Sequence, residues 1–305
     1  MEPIVSFVIL HYRDIKSTDA CVRSILQMDG RQYIRIVIVD NDIQATEEER
    51  SRLAERYKKH PAVTVVFVRE NGGFSYGNNQ GYGFARERQK ASFIIVTNND
   101  IVFPQRNFVD LMINCYRKNR CHVMGPDIVQ QHTGVHQNPM AERVRTAEEA
   151  AYTIRMNRKA LKYYSVLYPL LYWKIRRQEK KERSSEDSGQ CRSIQKNKVL
   201  FGACLVFTPD FVMKEDKAFW PETKFFYEEF ILTQRCLKHG YTTVYEPGLQ
   251  VLHESGAATR YSYRNERERL RFRMERMAEA CEVYLRFISK KSKDYIINNC
   301  MEKSV

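Results

Sequence analysis

Four short apolar runs alternate with helical patterns in the first hundred residues of this chain. The runs are rich in β-branched residues and cover residues 5–10, 34–39, 63–68 and 93–96. The helical patterns cover residues 17–28, 46–59 and 76–88. Apolar runs without polar alternation indicate strands that are buried on both faces, as in a parallel sheet. The alternation therefore predicts an α/β domain with a mostly parallel sheet flanked by helices.

A polar motif follows the end of each apolar run. In chain order these motifs are His11-Tyr12, Asp40-Asn41, Asn71-Gly72-Gly73 and Asn98-Asn99-Asp100. Because the carboxyl ends of parallel strands meet at one edge of a sheet, we expect the four motifs to lie close together, where α/β sheets bind ligands.

The third and fourth motifs have the chemistry of a nucleotide-sugar site. Glycines allow backbone to approach a ligand closely. A carboxylate can hold a divalent cation against a pyrophosphate. Either motif alone also fits an ordinary turn that caps a strand, so the prediction depends on the pair.

In the second half of the chain, the sequence predicts helices and strands that do not alternate regularly. Residues 141–182 read as one or two helices interrupted near Pro169, and residues 199–208 and 242–245 read as strands. Helices are predicted over residues 227–239 and 265–289. These patterns divide the chain into residues 1–140, a helical insertion at residues 141–194, residues 195–262 and a C-terminal helical segment at residues 263–305.

The positive charge is concentrated in the predicted insertion. The chain carries a net charge of +13, and residues 155–183 contain ten Lys and Arg but two acids. No helix-turn-helix, RNP or zinc-finger pattern is present, so nucleic acid is not an expected partner. Basic residues among Tyr and Trp suit an anionic membrane surface. A helical pair packed on the core or in a dimer, with solvated basic ends, explains the same pattern.

The cysteine spacing and the hydropathy of the chain indicate its cellular compartment. The eight cysteines form no CxxC pair, which is typical of reduced core thiols in a cytosolic protein. No signal-like segment starts the chain, and the apolar stretch 163–173 is too short to span a bilayer. We expect a cytoplasmic protein at the inner face of the cell membrane.

The combination of motifs resembles the family 2 glycosyltransferases of the GT-A fold, close to bacterial capsule, O-antigen and rhamnan-type enzymes. The matching motifs occur in the family's order: residues 5–12, 37–41, 71–79 and 98–100, then Phe226-Tyr227-Glu228-Glu229, His253 and Arg264-Asn265. Each motif is weak alone. Together they are specific for the family, but they give almost no information on which sugar is transferred.

The resemblance implies that residues 1–140 are the nucleotide-sugar-binding half of the domain, which holds the donor site, and that residues 195–262 are the acceptor half. Asp40 is expected to contact the base of the nucleotide, beside Tyr12, although Asp40 also suits a turn and Tyr12 the core. Asn79 is expected to bond back to the glycine turn. The other expected donor contacts are Asn71, Gly72, Gly73, Asn98, Asn99, Arg260 and Arg264.

The resemblance also implies a divalent cation, Mg²⁺ or Mn²⁺, at Asp100. These ions prefer oxygen ligands and keep waters and phosphates, so one protein carboxylate can suffice. His253 is expected to reach the metal or the diphosphate, although a single histidine after a strand is often structural.

The acid pair Glu228-Glu229 carries the expected catalytic base. The family usually has Glu-Asp here, with Asp as the base, so Glu229 moves the carboxylate by about one methylene. Two acids at a helix N-terminus also simply complement the helix dipole.

The expected function is inverting transfer of a sugar from a nucleotide-diphosphate donor to a saccharide or lipid-linked acceptor, in surface polysaccharide synthesis. A UDP-sugar is the first expectation for the donor and dTDP-rhamnose the second. A sugar nucleotidyltransferase and a non-catalytic nucleotide-sugar-binding module remain as alternatives, and the oligomeric state stays open.

Overall fold

The computed structural model describes residues 3–70, 72–184, 193–254 and 265–301. Within them nine strands, β1–β9, form one sheet. In chain order they are Val5–His11, Ile34–Asp40, Val63–Phe67, Phe93–Asn98, Ile101–Val102, Val123–Gln130, Gln195–Lys196, Cys204–Phe207 and Thr243–His253. The four strands predicted in the first hundred residues are confirmed, and each extends to or near its polar motif.

Nine α-helices, α1–α9, lie within the same residues. They are Ile15–Leu26, Glu47–Tyr57, Gly73–Glu87, Phe108–Asn119, Ala147–Lys162, Tyr164–Ser184, Pro209–Val212, Glu228–Lys238 and Glu266–Met301. A capping box between Thr46 and Glu49 begins α2.

The predicted interruption near Pro169 was wrong. The insertion breaks instead at Tyr163, the C-cap of α5, and Pro169 lies inside α6. A proline this near the start of a helix removes one backbone hydrogen bond. Tyr164 anchors the first turn of α6 by donating from its hydroxyl to the carbonyl of Arg267 at 2.6 Å.

The sheet order is β3-β2-β1-β4-β8-β6-β9-β5, with β7 paired to β9. Strand β1 runs parallel to both β2 and β4, and β2 runs parallel to β3. Because the chain order of the strands reverses on the two sides of β1, a crevice forms at the carboxyl ends of β1, β2 and β4. The predicted α/β fold is confirmed, and three of the four motifs end the strands at this crevice.

Apolar side chains pack on both faces of the sheet. One cluster lies under α1, α2 and α4, and another lies under α3, α7 and α8. A third cluster joins α5, α8 and α9. The helical insertion is therefore anchored on the helix that carries the acid pair. None of the helices in the described residues combines the length and apolarity that a membrane span requires.

Candidate active site

A cleft of about 530 Å³ opens at the carboxyl ends of β1 and β2. Asp40 is 4% exposed, lines this cleft and accepts a hydrogen bond at Oδ1 from the N–H of Asp42, at 3.1 Å. Burial raises the pKa of Asp40. The carboxylate expected to contact the base therefore ends its strand inside a concave site.

Arg13 forms the outer wall of this cleft. Its Nε donates to Asp42 Oδ2 at 2.5 Å, a second nitrogen donates to Gln44 Oε1 at 2.8 Å, and its guanidinium lies 5.1 Å from the ring centre of Tyr12. Tyr12 is half-buried. The sequence argument named Tyr12 but missed Arg13, although the arginine follows it directly.

At the glycine turn, other protein atoms occupy the space that a side chain would need. Gly73 has φ +85°, and a Cβ there would lie 2.2 Å from the carbonyl oxygen of Lys224. A Cβ on Gly72 would overlap the side chain of Tyr76. Both spaces are filled by protein: the segment before α8 packs against Gly73, and a side chain of α3 packs against Gly72. The next residue, Phe74, donates its N–H to Lys224 O at 2.7 Å.

Gly73→Ala is expected to destabilise the fold by about 2 kcal/mol or more, because it adds strain at positive φ to a backbone clash. The matched control is Gly83→Ala on the same helix, where a Cβ meets nothing within 4 Å. That change should be neutral or slightly stabilising. Urea denaturation measures both, and equal midpoints for the two variants would contradict the packing argument.

The asparagines expected at the donor site bond to protein groups. The side chain of Asn79 donates to Phe219 O and accepts from Phe219 N, each at 2.9 Å, so its expected bond to the glycine turn was wrong. Asn99 donates to Asp14 O and to Thr18 Oγ1. Asn98 lies half-buried at the end of β4. Three other expected donor contacts lie outside the described residues: Asn71, Arg260 and Arg264.

Asp100 and His253 lie side by side. Strands β5 and β9 are antiparallel, and His253 Nε2 lies 3.3 Å from Asp100 Oδ1. Both residues are buried. His253 Nδ1 lies 2.7 Å from Gln137 Oε1, so Nε2 is the ring nitrogen that faces the carboxylate.

This donor set fits a divalent cation. A carboxylate oxygen and an imidazole nitrogen on neighbouring strands can act as a pair of ligands, and Mn²⁺ accepts both types. Across the described residues no three His, Cys, Asp or Glu side chains gather as a metal cluster. The remaining ligands would therefore be waters and donor phosphates, as such ions commonly retain in nucleotide sites.

The acid pair begins α8 after a strained backbone. Phe226 and Tyr227 have φ of +68° and +65°, which is unusual for aromatic residues and typical of functional sites. Glu229 is half-buried, and its Oε1 accepts from the N–H of Gly202 at 3.2 Å. Glu228 is 3% exposed, and its Oε1 has no hydrogen-bond partner among the described residues.

Burial raises the pKa of both carboxyls. The pKa of Glu228 lies well above its ordinary value, first through burial and then through the charge of Glu229. Burial also raises the pKa of Glu229, opposed by its own backbone N–H and that of Gly202. Glu229 is therefore the better placed of the two to carry a negative charge.

Stability near neutral pH should rise when Glu228 is replaced by Gln. A carboxyl with a raised pKa in the folded state holds more protons there than in the unfolded chain, so folding stability falls as pH rises from the unfolded pKa toward the folded one. Each unit of difference contributes about 1.4 kcal/mol. Urea denaturation from pH 5 to 8 should show the variant gaining on the wild type as pH increases. Glu87→Gln, at an exposed acid on α3, is the control and should gain nothing.

A second cleft, of about 390 Å³, adjoins the acid pair. Its lining joins β4 and α8 to α9: Asn98, Gly202, Phe225, Glu229, Arg273 and Met277. Asn98 comes two residues before Asp100, so the cleft that contains Glu229 begins beside the candidate cation site. The sequence argument missed Gly202 and Arg273, which have no local motif.

Comparison with known proteins identifies the family of this chain. The model of glycosyl transferase family 2 matches residues 6–199, which is well over half of the chain. The acid pair and His253 lie beyond that match. No curated protein sequence matches the chain.

Solved structures share the fold at low identity. A mannosyltransferase from Pyrobaculum calidifontis, PcManGT, in complex with GDP-Man and Mn²⁺, aligns with TM-score 0.51 and 12% identity over 96% of this chain and 76% of its own. GalNAc-T7 with UDP, GalNAc and Mn²⁺ aligns with TM-score 0.52 and 14% identity over 82% and 44%. S. aureus TarS 1-349 aligns with TM-score 0.47 and 11% identity over 83% and 59%. The chain thus spans less than two thirds of GalNAc-T7 and of that TarS chain.

The fold and the site define a glycosyltransferase of the GT-A class. The chain belongs to glycosyl transferase family 2.

Proposed function

We propose that this protein transfers a sugar, with inversion, from a nucleotide-diphosphate donor to a saccharide or lipid-linked saccharide in surface polysaccharide synthesis. One observation carries the proposal. The cleft with Asp40, the Asp100–His253 pair and the cleft with Glu229 all adjoin the carboxyl ends of β1, β2 and β4. Complexes of the two fold relatives with nucleotides or nucleotide sugars and Mn²⁺ support a donor of that class.

The chain's own groups account for the reaction. Glu229 takes the proton from an acceptor hydroxyl, and the oxygen of that hydroxyl attacks the anomeric carbon. The bond from that carbon to the donor phosphate oxygen breaks, and the nucleoside diphosphate leaves with the electron pair. Attack opposite the leaving group inverts the anomeric centre. Gly202 orients the base through its N–H, and the aromatic residues before α8 limit the access of water.

Asp100 and His253 are the residues that would hold a divalent cation. When bound, such an ion stabilises the negative charge that develops on the departing diphosphate.

A nucleotide-release assay tests this function. The panel contains UDP-, dTDP- and GDP-linked sugars, because Asp40 alone accepts from a ring N–H that uracil, thymine and guanine all possess. Sugar-dependent release of a nucleoside diphosphate supports the proposal. Pyrophosphate formation from a sugar phosphate and a nucleoside triphosphate would identify a nucleotidyltransferase instead, and binding without turnover would identify a binding module.

We also propose that the insertion rests on the anionic inner face of the cell membrane, where a lipid-linked acceptor would be held. On α6, Val166, Leu170 and Trp173 are 80%, 50% and 54% exposed and follow the i, i+4, i+7 spacing of one helix face. The opposite face packs on α9 through Tyr164. Arg177 lies against the Trp173 ring at 5.3 Å. An exposed apolar stripe with adjacent cations suits an anionic interface.

Serine at Val166, Leu170 and Trp173 together should lower binding to phosphatidylserine-containing vesicles by roughly tenfold, through lost apolar burial. Wild-type binding should weaken with salt, because surface attraction is screened within about 10 Å at roughly 0.1 M ionic strength. Met213→Ser, at a residue 70% exposed on another surface, is the control. Equal co-sedimentation of the triple variant and the wild type would place the contact elsewhere, and salt-independent self-association would favour a dimer.

A further inference from the structure

His11 lies beside Asp40 in the cleft at the ends of β1 and β2. The sequence placed it in the first of the four motifs but gave it no role of its own. The two residues are register partners in adjacent parallel strands. Neighbouring strands lie about 4.8 Å apart, and paired residues point to the same face of a sheet. Both side chains line the cleft of about 530 Å³. A nucleobase bound by Asp40 would therefore also lie next to His11.

The hydrogen bonds around Thr18 determine which nitrogen of His11 carries the hydrogen. Thr18 Oγ1 has one hydrogen, which it donates to the carbonyl of Asp14 at 2.9 Å. The same oxygen accepts from Asn99 Nδ2 at 3.1 Å. With the hydroxyl hydrogen assigned to Asp14, the 2.7 Å contact between Thr18 Oγ1 and His11 Nδ1 is a bond that the imidazole donates. His11 Nε2 is consequently left with a lone pair.

This arrangement persists at neutral pH. His11 is 6% exposed, and burial lowers its pKa to about 4, against the raising effects of Asp14, Asp42 and Asp19. The ring is therefore neutral, and Nε2 is a hydrogen-bond acceptor. Asn99, expected to contact the donor, fixes this tautomer through Thr18 instead.

Asp40 supplies a second acceptor next to the first. Its Oδ1 accepts from the N–H of Asp42, and its Oδ2 has no hydrogen-bond partner among the described residues. Arg13 lines the same cleft and brings N–H donors, held in place by Asp42 and Gln44. The cleft thus offers two adjacent acceptors and a nearby cationic donor.

The nucleobases differ in how they match this pattern. Guanine presents two adjacent donors, N1–H and the N2 amino group, beside the O6 acceptor. Uracil and thymine present one N–H between two carbonyl oxygens, so one oxygen would face the lone pair of His11. Cytosine and adenine place a ring acceptor beside their amino group. Because an unpaired buried polar group is costly, a site of this kind discriminates against a base that lacks the second donor.

We propose that His11 is a specificity-determining residue that accepts a hydrogen bond from a guanine base, so that the donor is a guanosine-diphosphate sugar. The proposal rests on the proposed glycosyl transfer and replaces the expected preference for uracil or thymine. Asp40 and His11 take the two adjacent guanine donors, and Arg13 donates to O6.

Equilibrium binding of GDP, IDP, UDP and dTDP to the full chain, each with Mn²⁺, tests the proposal. IDP lacks only the N2 amino group, so the ratio of GDP to IDP affinity reports on the second acceptor. GDP should bind at least about tenfold more tightly than UDP or dTDP, and roughly tenfold more tightly than IDP, the upper end for one neutral hydrogen bond.

Two variants tie the preference to His11. His11→Ala should bring the GDP to IDP ratio within about twofold of one and leave IDP affinity nearly unchanged. Thr18→Val removes the acceptor that fixes the tautomer, so it should lower the same ratio with the imidazole still present. The matched control is Thr208→Val, at another buried threonine outside the cleft. It should leave the ratio unchanged.

Three results would contradict the proposals, and each contradicts a different part. Tighter binding of UDP or dTDP than of GDP would overturn the guanine assignment and leave the glycosyltransferase proposal standing. An unchanged GDP to IDP ratio in both His11→Ala and Thr18→Val would overturn the role of His11. Failure of every nucleotide to bind would overturn the proposed function together with this inference.

Discussion

Asp100→Asn is expected to lower turnover by about 10³-fold or more and to leave thermal stability nearly intact. A bound cation contributes several kcal/mol of charge stabilisation in such reactions, and about 1.4 kcal/mol corresponds to a tenfold change in rate. The amide keeps the size of the carboxylate but loses its charge. Turnover is measured by nucleotide release, and Mn²⁺ binding in the presence of nucleotide is measured separately by electron paramagnetic resonance.

The chain offers a matched control for this change. Asp127 is 4% exposed and lies 2.8 Å from His136 Nδ1, so it repeats the Asp–His pairing away from both clefts. Asp127→Asn should cost stability and leave nucleotide-dependent Mn²⁺ binding unchanged. Full activity of Asp100→Asn, or wild-type activity that is undiminished in excess chelator, would rule out the cation site.

Glu229→Gln is expected to lower kcat by about 10²- to 10⁴-fold, the contribution of a positioned general base. Donor affinity should change little, because Glu229 lines the second cleft and not the cleft that contains Asp40. The amide oxygen of Gln can still accept from Gly202, so the loss reports on proton transfer. Initial rates at saturating donor and acceptor measure kcat, and nucleotide binding is measured separately.

Glu228→Gln is the neighbouring control and should cost much less activity. If that variant is inactive and Glu229→Gln is nearly normal, the base is the other member of the pair. If neither variant loses more than a few-fold, the base lies outside this motif and the two acids serve the helix terminus.

Local sequence patterns predicted the strands and the edge at which their motifs meet. Apolar runs such as residues 34–39 form strands that are buried on both faces of the sheet. Their composition alone therefore indicates that they are interior strands. Asp40 and Asp100 follow directly from such strand ends. Pro169 shows the limit of local signals, because packing of Tyr164 on α9 sets where α6 begins.

Contacts between distant segments were not predictable in the same way. Glycine is required at position 73 because a Cβ there would clash with the carbonyl oxygen of Lys224. Glu229 accepts its hydrogen bond from the N–H of Gly202. The acceptor character of His11 depends on three hydrogen bonds to Thr18, one of them from Asn99. None of these pairings has a fixed spacing in sequence, so each requires the fold before it can be recognised.

The contact between Gly73 and Lys224 also limits how such enzymes can be recombined. It joins the predicted donor half to the segment that leads into the acid pair, through backbone atoms that a side-chain substitution cannot replace. A chimera that exchanges residues 195–262 with another family member must bring a backbone that meets glycine at this point. Hybrids that preserve this junction should express as folded protein, and hybrids that place a larger residue at position 73 should not.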